Sequence, residues 1–142
     1  MGYVKQFLKK EGKFFLGFPP WQMPFGGHQQ GCKNKLLSKL PYYHLLPTPI
    51  YKAILKGGGE KELVINNLIE IKETGISIER FKSILSRENY RVDKVEFFII
   101  NPNYEVKFNL KPRIQLNVLN SIPVLRNFVT TCCYYLISKK EF

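Results

Sequence analysis

Between Gly12 and Gly59 this chain has no aspartate or glutamate, and its first 59 residues contain no arginine. Those 59 residues hold nine lysines against the single carboxylate of Glu11, whereas residues 60–142 hold thirteen basic and ten acidic residues. A segment so biased attracts anions, be they nucleic acid, an anionic membrane surface or a phosphorylated substrate; it also serves simply as a soluble positive surface. Cysteine is scarce too. Cys32, Cys132 and Cys133 are an odd number without framework spacing, which excludes a disulfide scaffold. No secretory apolar region is present, and no apolar run approaches the roughly 20 residues of a membrane span. Gln6 stands where a myristoylation signal wants Ser or Thr, which argues against lipidation. A reduced, cytoplasmic chain is the expectation. What is present in quantity is apolar surface: 44% of residues are hydrophobic and 14% aromatic, which excludes general disorder. At 142 residues, with a net charge of +11, the chain is expected to be one domain, 1–142.

The most telling segment is Lys13-Phe14-Phe15-Leu16-Gly17-Phe18-Pro19-Pro20-Trp21, followed by Phe25-Gly26-Gly27-His28-Gln29. Apolar residues on both faces predict a strand at 13–18 buried in a parallel sheet, and two prolines end it. In open α/β sheets ligands bind in the loops just past the strand ends. Because this strand starts so early, no cofactor site built from preceding strands is expected within these residues.

Around it the pattern predicts a helix over 2–11, stopped by Gly12, and a brief helix carrying Leu36, Leu37 and Leu40. Thr48 is expected to cap a helix ended by Gly57, and Gly57-Gly58-Gly59 to act as a flexible joint. Further helices are expected from Glu60 to Glu73 and after Ser77, the latter lined by Ile78, Phe81, Ile84 and Leu85 and ended by Asn89. Residues 91–100 and 129–138 read as strands, and 101–128 as an extended excursion with one short helix near 113–120. The fold class is therefore α/β with a final antiparallel strand and a helical and loop insertion over 19–73.

In this order the chain resembles the C-terminal half of a class I S-adenosylmethionine-dependent methyltransferase. Phe7-Leu8-Lys9-Lys10-Glu11-Gly12-Lys13-Phe14-Phe15-Leu16 is similar to the family's entry into its fifth strand. Thr74-Gly75-Ile76-Ser77-Ile78-Glu79-Arg80-Phe81 is similar to the helix before its sixth strand, Tyr90 to Ile100. Val129 to Lys139 is similar to the antiparallel seventh strand, inserted between five and six. Pro19-Pro20-Trp21-x-x-Pro24-Phe25-Gly26-Gly27-His28-Gln29 resembles a subgroup of uncharacterised bacterial methyltransferase-domain proteins. The resemblance implies a partial Rossmann-like methyltransferase sandwich and methyl transfer from S-adenosylmethionine to an acceptor. The family's glycine-rich loop after strand one and acidic residue after strand two have no counterpart here, so this fragment is expected to be inactive alone. Phe18-Pro19-Pro20-Trp21 also lacks the polar first residue of the family's amino-methylating box.

The residues expected to line an acceptor pocket are Pro20, Trp21, Phe25, Gly27, His28, Gln29 and His44. His28, on its Gly-Gly hinge, suits a general base, a substrate contact, or a loop histidine bonded to backbone. His44, within Tyr42-Tyr43-His44-Leu45-Leu46, suits either packing or the pocket. His28, Cys32 and His44 lack the tight pair spacing and fourth ligand of a metal site. Cys132 and Cys133 point to opposite faces of a strand and read as small core residues. Trp21, Phe25, Tyr42, Tyr43, Tyr51 and Tyr104 suit packing or the stacking of a planar substrate. Two further classes remain beside the enzyme: a basic nucleic-acid-binding module gripping through lysines 5–56, and a non-catalytic interaction fragment. The edge of strand 13–18 is expected to drive self-association.

Overall fold

Along the chain the elements are α1 (Gly2–Lys5), β1 (Lys13–Phe18), α2 (Lys35–Lys39), α3 (Thr48–Gly57), α4 (Glu62–Thr74), α5 (Ile78–Arg87), β2 (Tyr90–Ile100), α6 (Asn103–Phe108), β3 (Arg113–Ile114), α7 (Asn117–Asn120), α8 (Leu125–Val129) and β4 (Cys132–Lys139). This computed structural model describes residues 1–140; the last two residues of the expected domain lie outside them. The chain divides into two compact units, Met1–Pro20 with the residues from Ser77 onward, and Trp21–Ile76.

The first unit is an α/β layer on a four-stranded antiparallel sheet in the order β1-β4-β2-β3. β4 pairs antiparallel with both β1 and β2, so those two run in the same direction with the last strand between them. α5 packs on one face. Its Phe81 ring lies 4.8 Å from Phe18 and 4.9 Å from the buried Tyr135, and Ile78 and Leu85 complete the apolar stripe. Ser77 caps α5 by accepting the Arg80 N–H at 3.1 Å, as its position predicts. Asn89 leaves the helix in the left-handed region at φ 52°.

Several expectations are corrected. β1 is not a strand buried in a parallel sheet: its residues alternate exposed and half-buried, and it pairs antiparallel with β4. The first helix ends at Lys5, not at residue 11, since nothing in Gln6–Glu11 gives it a buried face. The last strand begins at Cys132: Val129 closes α8, and Thr130 caps it by hydrogen bonding back to Arg126. The excursion holds three short helices and a two-residue strand, in place of one helix. Gly57–Gly59 is no flexible joint either. The Glu60 N–H reaches Leu55 O at 3.1 Å and the Gly59 N–H reaches Lys56 O at 3.0 Å, the paired bonds of a Schellman stop. Thr48 lies inside α3, which Pro47 caps.

The excursion is anchored by a polar cluster with no signature in hydrophobic periodicity. Burial by itself would raise the Glu79 carboxyl, but hydrogen bonds from the Asn127 side chain, the Val124 N–H and Arg126 outweigh it and hold Glu79 below its ordinary value. Asn127, fully buried, also accepts the Ile78 N–H at 2.8 Å. The cluster clamps a turn in which Val124 adopts φ 67°, ψ −56° and the Leu125 N–H bonds Pro123 O at 2.7 Å, a γ-turn strained for a β-branched residue.

The second unit packs α2, α3 and α4 around Leu37, Tyr43, Tyr51, Leu55, Ile65 and Leu68. Asn34 caps α2 through its side chain, donates to Gly58 O at 3.0 Å and bonds the buried Glu60 carboxylate through its own N–H at 2.8 Å. A hydrogen bond from the Trp21 N–H to Ile76 O, 2.9 Å, ties the two ends of the unit together.

Candidate functional site

Six of the seven residues singled out from sequence fall into the second unit, and three of them join in one buried network. His44 is fully buried. Its Nε2 lies 3.0 Å from Trp21 O and its Nδ1 lies 3.2 Å from the Gln29 side-chain nitrogen. A carbonyl only accepts, so Nε2 carries the proton and donates to Trp21. Nδ1 is then the acceptor for Gln29, which also donates toward Pro24 O at 3.1 Å. The ring is neutral. Burial lowers its pKa, the bond to Trp21 O works the other way, and the nearby Lys72 charge lowers it further.

The remaining contacts pin that ring. Trp21 meets it edge-on, centroids 4.6 Å apart at 85°. Gly27 lies so close that a Cβ there would stand 2.5 Å from the His44 Cβ, which explains a glycine at this position. Lys72 donates to His44 O at 2.8 Å and sits 5.4 Å over the Trp21 ring and 5.9 Å over Tyr51. Burial pushes its ammonium below the ordinary lysine value. Sequence reasoning passed over Lys72, although a signal existed: it follows Ile65, Leu68 and Ile69 at i+7 on the buried stripe of α4.

His28 does not join this network. It stands exposed at φ 56°, and among the described residues its ring makes no hydrogen bond or ring contact. Its backbone is fixed on both sides, by its N–H to Phe25 O and its carbonyl to the Gly31 N–H, each 3.1 Å. Phe25 is half-buried, and Pro20 is buried at the end of the other unit. The arrangement is thus a rigid loop presenting one free imidazole, braced by a second imidazole whose nitrogens are both engaged. His44 cannot take a proton without losing the Gln29 bond, so its part here is structural.

No group of three His, Cys, Asp or Glu side chains with metal-binding proximity occurs among the described residues. All three cysteines are free and buried, and burial raises the Cys132 thiol to about 11 and drives Cys133 upward as well. Both are poor nucleophiles. Among the described residues no helix is long and apolar enough to cross a membrane. Comparison with known protein families, curated proteins and solved structures yields no match to this chain.

Proposed function

We propose that this chain is the acceptor-side part of an S-adenosylmethionine-dependent methyltransferase fold. The observation that carries the reading is the strand arrangement: a last antiparallel strand inserted between two co-directional strands whose connection is helical and ends in α5. A second compact unit interrupts the chain directly after β1, where loops past strand ends serve ligands in α/β sheets. Within that unit His28 is the residue to touch an acceptor, as its only accessible imidazole. Trp21, Gly27, Gln29 and His44 act as positioning residues that hold the loop.

The donor does not fit the residues described. The Gly57–Gly59 run is the hydrogen-bonded stop of α3, not a strand-to-helix cradle. The sole aspartate, Asp93, is engaged by Arg91 at 2.7 Å and Ser138 at 3.1 Å. Whatever holds a methyl donor therefore comes from outside these residues. Sequencing the DNA upstream of the Met1 codon is the decisive experiment. An in-frame segment encoding strand, Gly-x-Gly and helix supports the reading. A stop codon with no such segment nearby, in a gene whose product binds no donor-side partner, overturns it.

A further inference from the structure

The face of the sheet opposite α5 has a composition that the proposed function does not use. Strand register sets its rows. Lys13, Ser138 and Arg91 pair across β1, β4 and β2; Phe15, Leu136 and Lys94 form the next row; Gly17, Tyr134 and Glu96 the third. Antiparallel partners project to the same side, so basic and aromatic side chains share one surface. Phe15 is 59% exposed, and Tyr134 is half-buried beside it with ring centroids 5.3 Å apart. Gly17 explains how the tyrosine is held. Its position lies within 2.8 Å of the Tyr134 ring carbons if a Cβ is added, so the ring rests on bare backbone. The Tyr134 ring is thus seated before any ligand arrives, with Phe15 edge-on beside it.

Two hollows run along this face. One, of about 160 Å³, is lined by Phe15, Lys94, Glu96, Tyr134 and Leu136. The other, of about 220 Å³, is lined by Lys10, Glu11, Lys13, Arg91, Ser138 and Lys139. Arg91 is paired with Asp93 at 2.7 Å and Lys94 with Glu96 at 2.8 Å. Among the described residues no ion pair involves Lys10, Lys13 or Lys139; the carboxylates beside them are Glu11 and Asp93, the latter already held by Arg91 and Ser138 and lowered further by the Lys13 charge. Charge and π-surface together specify the occupant. Cations track a phosphate backbone, while exposed rings stack on unpaired bases, which duplex DNA does not offer. An apolar protein partner would not call for the lysine row.

We propose that this open sheet face binds single-stranded nucleic acid, with bases stacked on Phe15 and Tyr134 and the backbone running along Lys13, Lys10 and Lys139. The test is fluorescence anisotropy with labelled twelve-nucleotide dT and rU strands and the matching duplex, from about 50 to 200 mM salt. Single strands should bind at least about tenfold tighter than the duplex. Phe15→Leu should weaken binding about fivefold or more and leave the salt slope unchanged, whereas Lys13→Gln should lower the slope by about one. Circular dichroism checks that each variant folds. Tyrosine-fluorescence quenching of the unaltered chain by dT supplies a readout that needs no variant. No binding at 50 mM salt, equal binding of duplex, or indifference to Phe15→Leu would each overturn the proposal. A dimer by light scattering that buries Phe15 and Tyr134 against a second copy would overturn it also. None of these outcomes bears on the methyltransferase reading, which stands or falls on the upstream sequence.

Discussion

Val124 and His44 are two residues whose surroundings decide their energetics more than their identities do. Val124 holds φ 67° with its side chain 59% exposed, so it contributes strain and little burial. Strain of this kind costs about 1–3 kcal/mol, and glycine in its place costs about 0.5–1 kcal/mol in unfolded-state entropy. Val124→Gly is therefore expected to stabilise the first unit by about 1 kcal/mol, seen as a higher denaturant midpoint with unchanged slope. A lower midpoint would mean that the clamp from Glu79, and not the turn, sets the conformation. His44 has the opposite character, a titratable group held neutral. Its folded pKa is depressed, so the unfolded chain binds more protons over the interval between the two values. Stability of the second unit is then fully present above the ordinary histidine pKa of about 6.5 and falls as pH drops below it. Trp21 is the only tryptophan and touches this ring, so its fluorescence should report unfolding at a lower temperature at pH 5 than at pH 7.5. His44→Gln should flatten that pH dependence.

At the scale of elements, α8 and β4 show how a polar cluster overrides propensity. Val129-Thr130-Thr131 carries β-branched residues that favour a strand, yet Val129 ends a helix. The reason is Asn127, whose amide oxygen accepts from the Ile78 N–H and whose nitrogen donates to Glu79. Asn127→Ala would leave a buried N–H at the start of α5 without a partner and strip a donor from the carboxylate. The expected loss is about 2–4 kcal/mol, measured by chemical denaturation. Asn127→Asp should cost as much or more, since it sets a second carboxylate against Glu79. α4 makes the complementary point. Its apolar stripe was legible, but the cation at the end of that stripe gains a purpose only once the rings of Trp21 and Tyr51 are in place.

For the whole molecule, the expected behaviour follows from what the two units do and do not contain. Neither holds a glycine-rich strand-to-helix turn, so the isolated chain should show no calorimetric heat with S-adenosylmethionine at millimolar concentration. Micromolar binding would mean that the chain has been misaligned with the fold it resembles. The sequence by itself determined the α/β class, the three principal strands to within three residues, the Ser77 cap and the uncompensated positive charge over Gly12–Gly59. These are local properties: strand propensity, capping chemistry and composition act over a few neighbouring residues. It also singled out Trp21, Gly27, Gln29 and His44, because aromatic, glycine and histidine residues clustered in one short stretch and its neighbour. Only the tertiary structure decided that His44 braces while His28 is free, since a ring's tautomer depends on partners 15 and 23 residues away. It alone decided that β1 pairs antiparallel with β4 and leaves Phe15 in solvent, because an apolar run reads the same whether its second face is covered or open. The Glu79–Asn127 clamp, formed across 48 residues, likewise needed the chain to be folded before its partners could meet.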